Sequence, residues 1–140
     1  MNKTISIKDS FGRFTGLRHS AVSEKSGEEF YHSVLNNEFK KCFETKTVLT
    51  VDLDGVRGYS PSFIDEAFGN LVYDFGLQNV ERYLVIKSND KPFWKETIEK
   101  DTYKLWEQRR KNKQSPKKTI EHSAWWSYSD NKFIEHYGNF

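Results

Sequence analysis

The spacing of apolar and polar positions divides most of the chain into short strands and amphipathic helices. Ile5 and Ile7 alternate with polar neighbours and predict a first strand. Ser10 to Ser26 is rich in glycine, serine and charge. A second strand is expected within it, around Phe11 to Arg18, with Gly12 and Gly16 at turns or bulges. Ser26-Gly27-Glu28-Glu29 reads as a helix start, a serine cap followed three residues later by a glutamate able to bond back. Phe30, Val34, Leu35, Phe39, Cys42 and Phe43 then recur at helical spacing. Cys42 is expected on that inner face, since a free cysteine packs as a small hydrophobe.

Thr47 to Val56 is the clearest strand, because Val48, Leu49, Val51 and Leu53 are nearly continuous, as in a central strand covered on at least one face. Ser60-Pro61-Ser62 opens a helix whose apolar stripe is Phe63, Ile64, Ala67, Phe68, Leu71, Val72 and Phe75. Pro61 suits its first position, where a missing N–H costs nothing, and Gly76 suits a left-handed stop. Tyr83 to Ile86 predicts another strand. After Asn89-Asp90-Lys91-Pro92 comes a third helix, with Trp94, Ile98, Leu105 and Trp106 on one face. Strands and helices alternate, so the expected class is α/β, a sandwich around a sheet with some parallel pairing.

At 140 residues the chain suits one domain. Only 36% of it is hydrophobic but 16% is aromatic, so a few bulky side chains carry the core. The net charge of +2 favours no class of partner. The single cysteine, Cys42, allows no internal disulfide, and with His19, His32, His122 and His136 scattered, no metal site is expected. The first residues lack a signal-peptide core and no apolar run approaches the ~20 residues of a membrane span, so a cytoplasmic protein without membrane contact is expected.

After Trp106 the character changes. Lys104, Arg109, Arg110, Lys111, Lys113, Lys117 and Lys118 crowd a segment with Glu107 as its only acid. Thr119 to Phe140 is polar but carries Trp125, Trp126, Tyr128, Phe133, Tyr137 and Phe140, too many rings for a disordered tail. Residues 1–110 are therefore expected to form the domain and residues 111–140 a basic, aromatic extension docked on it.

The segment Val51-Asp52-Leu53-Asp54-Gly55-Val56-Arg57-Gly58-Tyr59-Ser60-Pro61-Ser62-Phe63 resembles the signature turn of STAS domains, in which a central strand runs into a short loop that opens a helix. With Gly16-Leu17-Arg18, Ser26-Gly27-Glu28-Glu29-Phe30 and Ser62-Phe63-Ile64-Asp65-Glu66-Ala67-Phe68-Gly69, it is similar to the bacterial STAS-like family of unknown function over about residues 4–106. The resemblance implies a single-domain mixed sheet with helices packed on it, and a role as a protein-interaction module. In the anti-anti-sigma branch of STAS domains, a partner kinase of the histidine-kinase ATPase fold phosphorylates a serine at the helix start. Added charge there releases a partner. That serine falls on Pro61 here, so the direct carry-over fails.

Ser60 and Ser62 remain as neighbouring hydroxyls open to regulatory phosphorylation by a kinase, and each also has a structural role open to it: Ser60 as helix cap, Ser62 in a capping arrangement with Asp65. Asp52 and Asp54 are expected to face water or bond loop amides. Their convergence with Glu66 in a cleft would allow acid–base chemistry. No Walker loop, nucleophile elbow or activated cysteine is readable, and no cofactor is called for. The leading expectation is a non-enzymatic regulatory module. It would bind a protein partner, of which a histidine-kinase-type ATPase is one candidate, through the Gly55–Ser62 turn, with Arg18, Asp54, Arg57, Tyr59, Ser60 and Ser62 as contacts. The alternative is nucleic-acid association through Arg109, Arg110, Lys111, Lys113, Lys117 and Lys118 together with the aromatic tail. A small-ligand pocket at the carboxyl ends of the strands is the third reading.

Overall fold

The computed structural model describes residues 2–21, 23–115 and 121–139, without the side chains of residues 121–123 and 137–139. Strand β1 (Lys3–Ser6) leads into one helical turn, α1 (Ile7–Ser10), capped by Ser6. Ile7 thus ends the strand rather than extending it, and its side chain is buried in the core. A long irregular loop follows where a second strand was expected. Gly16 lies so close to Ser23 that a Cβ would sit 1.7 Å from the Ser23 Oγ, so the chain folds back on itself instead of running straight.

Helix α2 covers residues 27–45 and is capped by Ser26, whose Oγ accepts the Glu29 N–H at 3.0 Å. Midway, at Tyr31–Leu35, the backbone widens to i→i+5 bonding, with the Asn36 N–H donating to the Tyr31 carbonyl. The extra residue turns the helix face, which brings Tyr31, His32 and Asn36 inward beside Phe30, Leu35 and Phe39. Cys42 packs on the inner face as expected.

Strand β2 (Leu49–Asp52) is shorter than its apolar run, helix α3 (Pro61–Phe75) starts at Pro61, and Gly76 ends it at φ +86°. A short helix, α4 (Leu77–Tyr83), fills the stretch before β3 (Leu84–Lys87), where no element was expected. Helix α5 covers residues 93–111 and has a second widened turn at Ile98–Thr102. That turn rotates Leu105 off the inner face to 60% exposure and places Thr102 and Tyr103 inside with Trp94, Ile98 and Trp106. The expected stripe therefore loses one member.

The sheet is β1-β2-β3, parallel throughout. Its inner face, Ile5, Leu49, Val51, Leu84 and Ile86, packs under the helices. Its outer face carries the rows Thr4-Thr50-Val85 and Ser6-Asp52-Lys87, which are half-buried or exposed. Helix α3 packs between α2 and α5. At Gly69 a Cβ would lie 2.1 Å from the Trp106 ring, so only glycine lets these helices approach as they do.

Strands β4 (Glu121–Ser129) and β5 (Lys132–Asn139) form a separate antiparallel hairpin. Parallel and antiparallel pairing thus both occur, but in two sheets. Asp130 and Asn131 at its tip both have positive φ, 52° and 62°, the two-residue turn that matches strand twist. Trp125 is 3% exposed, between His136 stacked at 5.3 Å and the edge of His32 at 5.1 Å. Phe43 on α2 meets both Tyr128 and Phe133, and the Lys40 ammonium lies 4.2 Å from the Trp126 ring centroid. Among the described residues no helix is long and apolar enough to cross a membrane.

Candidate functional site

The turn after β2 is built by side chains bonding to backbone. Asp52 Oδ1 accepts the Asp54 N–H at 2.9 Å, and Asp54 Oδ1 accepts the Asp90 N–H at 2.9 Å. Asp90 Oδ2 accepts the Gly55 N–H in return at 3.2 Å, so the loops after β2 and β3 are latched together. Both aspartates thus bond loop amides, as expected. Gly55 makes the turn at φ +88°. The Tyr59 hydroxyl donates to the Leu53 carbonyl at 2.7 Å, while its ring lies against Phe63 and Trp94. Burial, and then the charges of Asp52 and Asp54, push its phenol well above the usual tyrosine range. Tyr59 is therefore a pillar of the turn.

Between these loops lies a cavity of about 100 Å³ lined by residues including Asp54, Arg57, Tyr59, Asp90 and Trp94. It is far below the ~300 Å³ at which small-molecule pockets begin. Glu66 does not join Asp52 and Asp54: its carboxylate bonds Arg18 and Asn70 instead. Among the described residues no cluster of His, Cys, Asp and Glu could hold a metal ion.

Ser60 caps α3. Its Oγ accepts the Phe63 N–H at 3.1 Å and donates to the Gly16 carbonyl at 3.0 Å. Ser62 lies 3.2 Å from the Ser60 hydroxyl and makes no capping arrangement with Asp65, because Asp65 is taken by Arg18 at 2.7 Å and by the Trp106 Nε1–H at 3.0 Å. Arg18, read from the sequence as a contact residue, is bound inward by Asp65 and Glu66. Burial works against its charge, but those two carboxylates outweigh it and hold the guanidinium above its ordinary pKa.

The loop 11–25 runs beside this turn and is tied to it at three points. The Arg57 N–H donates to the Arg13 carbonyl at 2.8 Å, Thr15 Oγ1 to the Gly58 carbonyl at 2.9 Å, and Ser60 to Gly16. Further bonds run from Gly27 and Glu28 to the carbonyls of Leu17 and Arg18. On this firmly held backbone Phe14 is 68% exposed and Leu17 50%, with the Arg57 guanidinium 5.8 Å from the Phe14 ring centroid. Sequence reasoning missed Arg13, Phe14 and Leu17. The loop has no periodicity to flag them, and the pair of glycines around Phe14 was the only sign of an unusual path.

A buried polar chain crosses the helices behind the turn. Arg18 bonds Glu66, and the Asn70 amide donates to Glu66 Oε2 at 2.7 Å. Tyr31 lies 3.1 Å from the Asn70 carbonyl and donates to Asp74 at 2.5 Å. Asn36 donates to the Tyr31 oxygen and to the Trp126 carbonyl, and accepts the Trp126 N–H at 2.7 Å. One buried amide thus holds both backbone groups of a hairpin residue.

The basic end of α5 is divided. Arg110 is paired with Glu107, whose carboxylate is held below its usual range first by that hydrogen bond. Arg109 lies over Trp106 at 4.6 Å beside an open recess of about 270 Å³ that also includes Leu105, Asn112 and Gln114. Lys111 and Lys113 are exposed, while Lys117 and Lys118 lie outside the described residues.

No curated protein and no solved structure matches the chain. Residues 26–94, from the α2 cap through β2, the turn, α3 and β3 to Trp94, match the model of a STAS-like domain of unknown function (DUF4325). Over those residues the chain is similar to that STAS-like family.

Proposed function

We propose that the protein is a non-enzymatic regulatory module that binds a protein partner through the face formed by the loop 11–25 and the turn 54–62. The observation that carries this reading is the pair Phe14 and Leu17, held open to solvent on a backbone tied to the STAS-like turn. Exposed large apolar side chains mark interaction sites, and an aromatic ring with an arginine beside it is a pairing enriched at protein interfaces. The turn itself supports a scaffold role: its carboxylates and hydroxyls are engaged with backbone amides and carbonyls. A histidine-kinase-type ATPase is the partner class the STAS resemblance suggests. Phosphorylation of Ser60 would cost the α3 cap, and Ser62 is the hydroxyl whose modification leaves that cap's acceptor in place.

Nucleic-acid association is the second reading, favoured by Arg109 resting on Trp106 with Lys111 and Lys113 exposed nearby. Capture from native lysate, with and without nuclease, separates the two. A nuclease-resistant partner lost with Phe14→Ser/Leu17→Ser supports the protein-binding face. Capture abolished by nuclease and by Arg109→Glu, but not by the loop variant, supports the second reading and refutes the first.

A further inference from the structure

We infer that the face at Phe14 and Leu17 receives an acidic protein segment carrying an apolar anchor; this rests on the partner-binding reading above and specifies the chemistry of the partner. The molecule holds its arginines in two ways. Arg18 and Arg110 each have carboxylates in contact, at 2.7 Å to Asp65 and 2.7 Å to Glu107. Arg13 and Arg57, both exposed, have no carboxylate partner among the described residues.

Those two cations are brought together by the fold. The Arg57 N–H bonds the Arg13 carbonyl at 2.8 Å, so residues 44 positions apart in the chain become neighbours on one surface, directly beside Phe14. Lys25 adds a third cation to the loop, although its ammonium is turned to the Phe11 carbonyl and ring. The acids within these two segments are Glu24, which is exposed, and Asp54, whose carboxylate already accepts the Asp90 N–H. Outside the Arg18 cluster, Arg13, Lys25 and Arg57 outnumber Glu24 and Asp54 in these segments, and the charges placed beside Phe14 are the two arginines. Unpaired guanidinium groups offer a planar fork that matches carboxylate geometry.

An occupant that satisfies this face needs one large apolar side chain to cover Phe14 and Leu17, with carboxylates at its flanks for Arg13 and Arg57. A protein segment suits it better than nucleic acid. Leu17 offers no stacking surface to a base, and two arginines are few for tracking a phosphate backbone.

A random 16-residue peptide library displayed on phage and panned against the intact protein tests this. Recovered peptides are then synthesised and titrated by fluorescence anisotropy. The comparison proteins are Phe14→Ser/Leu17→Ser and Arg13→Glu/Arg57→Glu, each checked by its far-UV spectrum and melting curve. All four positions are exposed, so both variants should melt as the parent does. The expected peptides are rich in Asp and Glu around one aromatic or aliphatic residue. They should lose about tenfold or more in affinity to either variant, and weaken about tenfold between 50 and 500 mM salt. Peptides that need Phe14 and Leu17 but carry no acidic excess, and ignore the arginine reversal, would overturn the acidic partner while leaving the partner face standing. Peptides indifferent to both variants, or an empty selection, would overturn the face itself. Competition at this face by a 30-nucleotide single-stranded DNA, or by vesicles of phosphatidylcholine and phosphatidylserine, would replace the protein partner with a polyanion.

Discussion

The C-terminal hairpin and the loop 11–25 both bring aromatic side chains to the edge of the domain, and they dispose of them in opposite ways. In the hairpin, Trp125 is buried between two histidines, Tyr128 and Phe133 close on Phe43, and Asn36 grips the Trp126 backbone. In the loop, hydrogen bonds to Gly58, Ser60 and Arg57 tie the chain down, yet Phe14 and Leu17 are exposed. Rigidity and burial are thus separable. A segment becomes a docking element when its side chains find a groove, and a display element when only its backbone is held. By its aromatic content the tail is expected to dock on the domain. Its described rings are largely spent on the domain itself.

Replacing Trp106 with Ala should give the largest effect. It empties the space against Gly69 and removes the bond to Asp65, which anchors Arg18 beneath the loop. A loss of ~3–5 kcal/mol is expected in denaturant unfolding, as for other buried aromatic truncations. A loss below about 1 kcal/mol would show that α5 is not part of the common core.

Asn36→Leu comes next and separates the two regions. It strands both backbone groups of Trp126 and one side of Tyr31, for roughly 2–3 kcal/mol. Hydrogen exchange should quicken at Trp126 to Phe133 while the Arg57 amide stays protected. Equal loosening of the loop 11–25 would mean that the buried polar chain couples the regions into one unit.

Ser60→Ala should cost about 1 kcal/mol as a lost cap, and it also frees the Gly16 carbonyl. Its exchange signature should be the reverse of the Asn36 variant, with the loop loosened and the hairpin unchanged.

The smallest effect at neutral pH is a titration. Tyr31, Tyr59 and Tyr103 all have phenols pushed upward, first by burial and then by neighbouring carboxylates. A raised folded-state pKa contributes stability that is complete below the unfolded value, about 10, and is lost as pH climbs past it. These three phenols should therefore ionise only with unfolding in an alkaline absorbance titration. Tyr59→Phe should leave the turn intact at pH 7 apart from the Leu53 bond, and should delay alkaline unfolding. Ionisation of Tyr59 within the folded protein would show that the turn is more open than the hairpin dock.

Local pattern made much of this legible. The caps at Ser26 and Ser60, the stop at Gly76, the inner face of α2 at Phe30, Leu35 and Phe39, and the strand pair β2 and β3 all follow from spacing and from the chemistry of single residues. These are interactions within a few residues, where propensity and periodicity carry the information. What failed was phase and partnership. The widened turns in α2 and α5 rotated Asn36 inward and Leu105 outward, because one added residue per turn is enough to move a face and no composition marks it. Arg18 stays partly exposed, but Asp65 and Glu66, 47 and 48 residues away, pair with it. The juxtaposition of Arg13, Phe14 and Arg57 likewise exists only once two loops are tied together. The sequence by itself determined the α/β class, the caps and most of the core. Tertiary structure decided which charges are spent and which apolar side chains are left to meet a partner, since both depend on contacts between segments far apart in the chain.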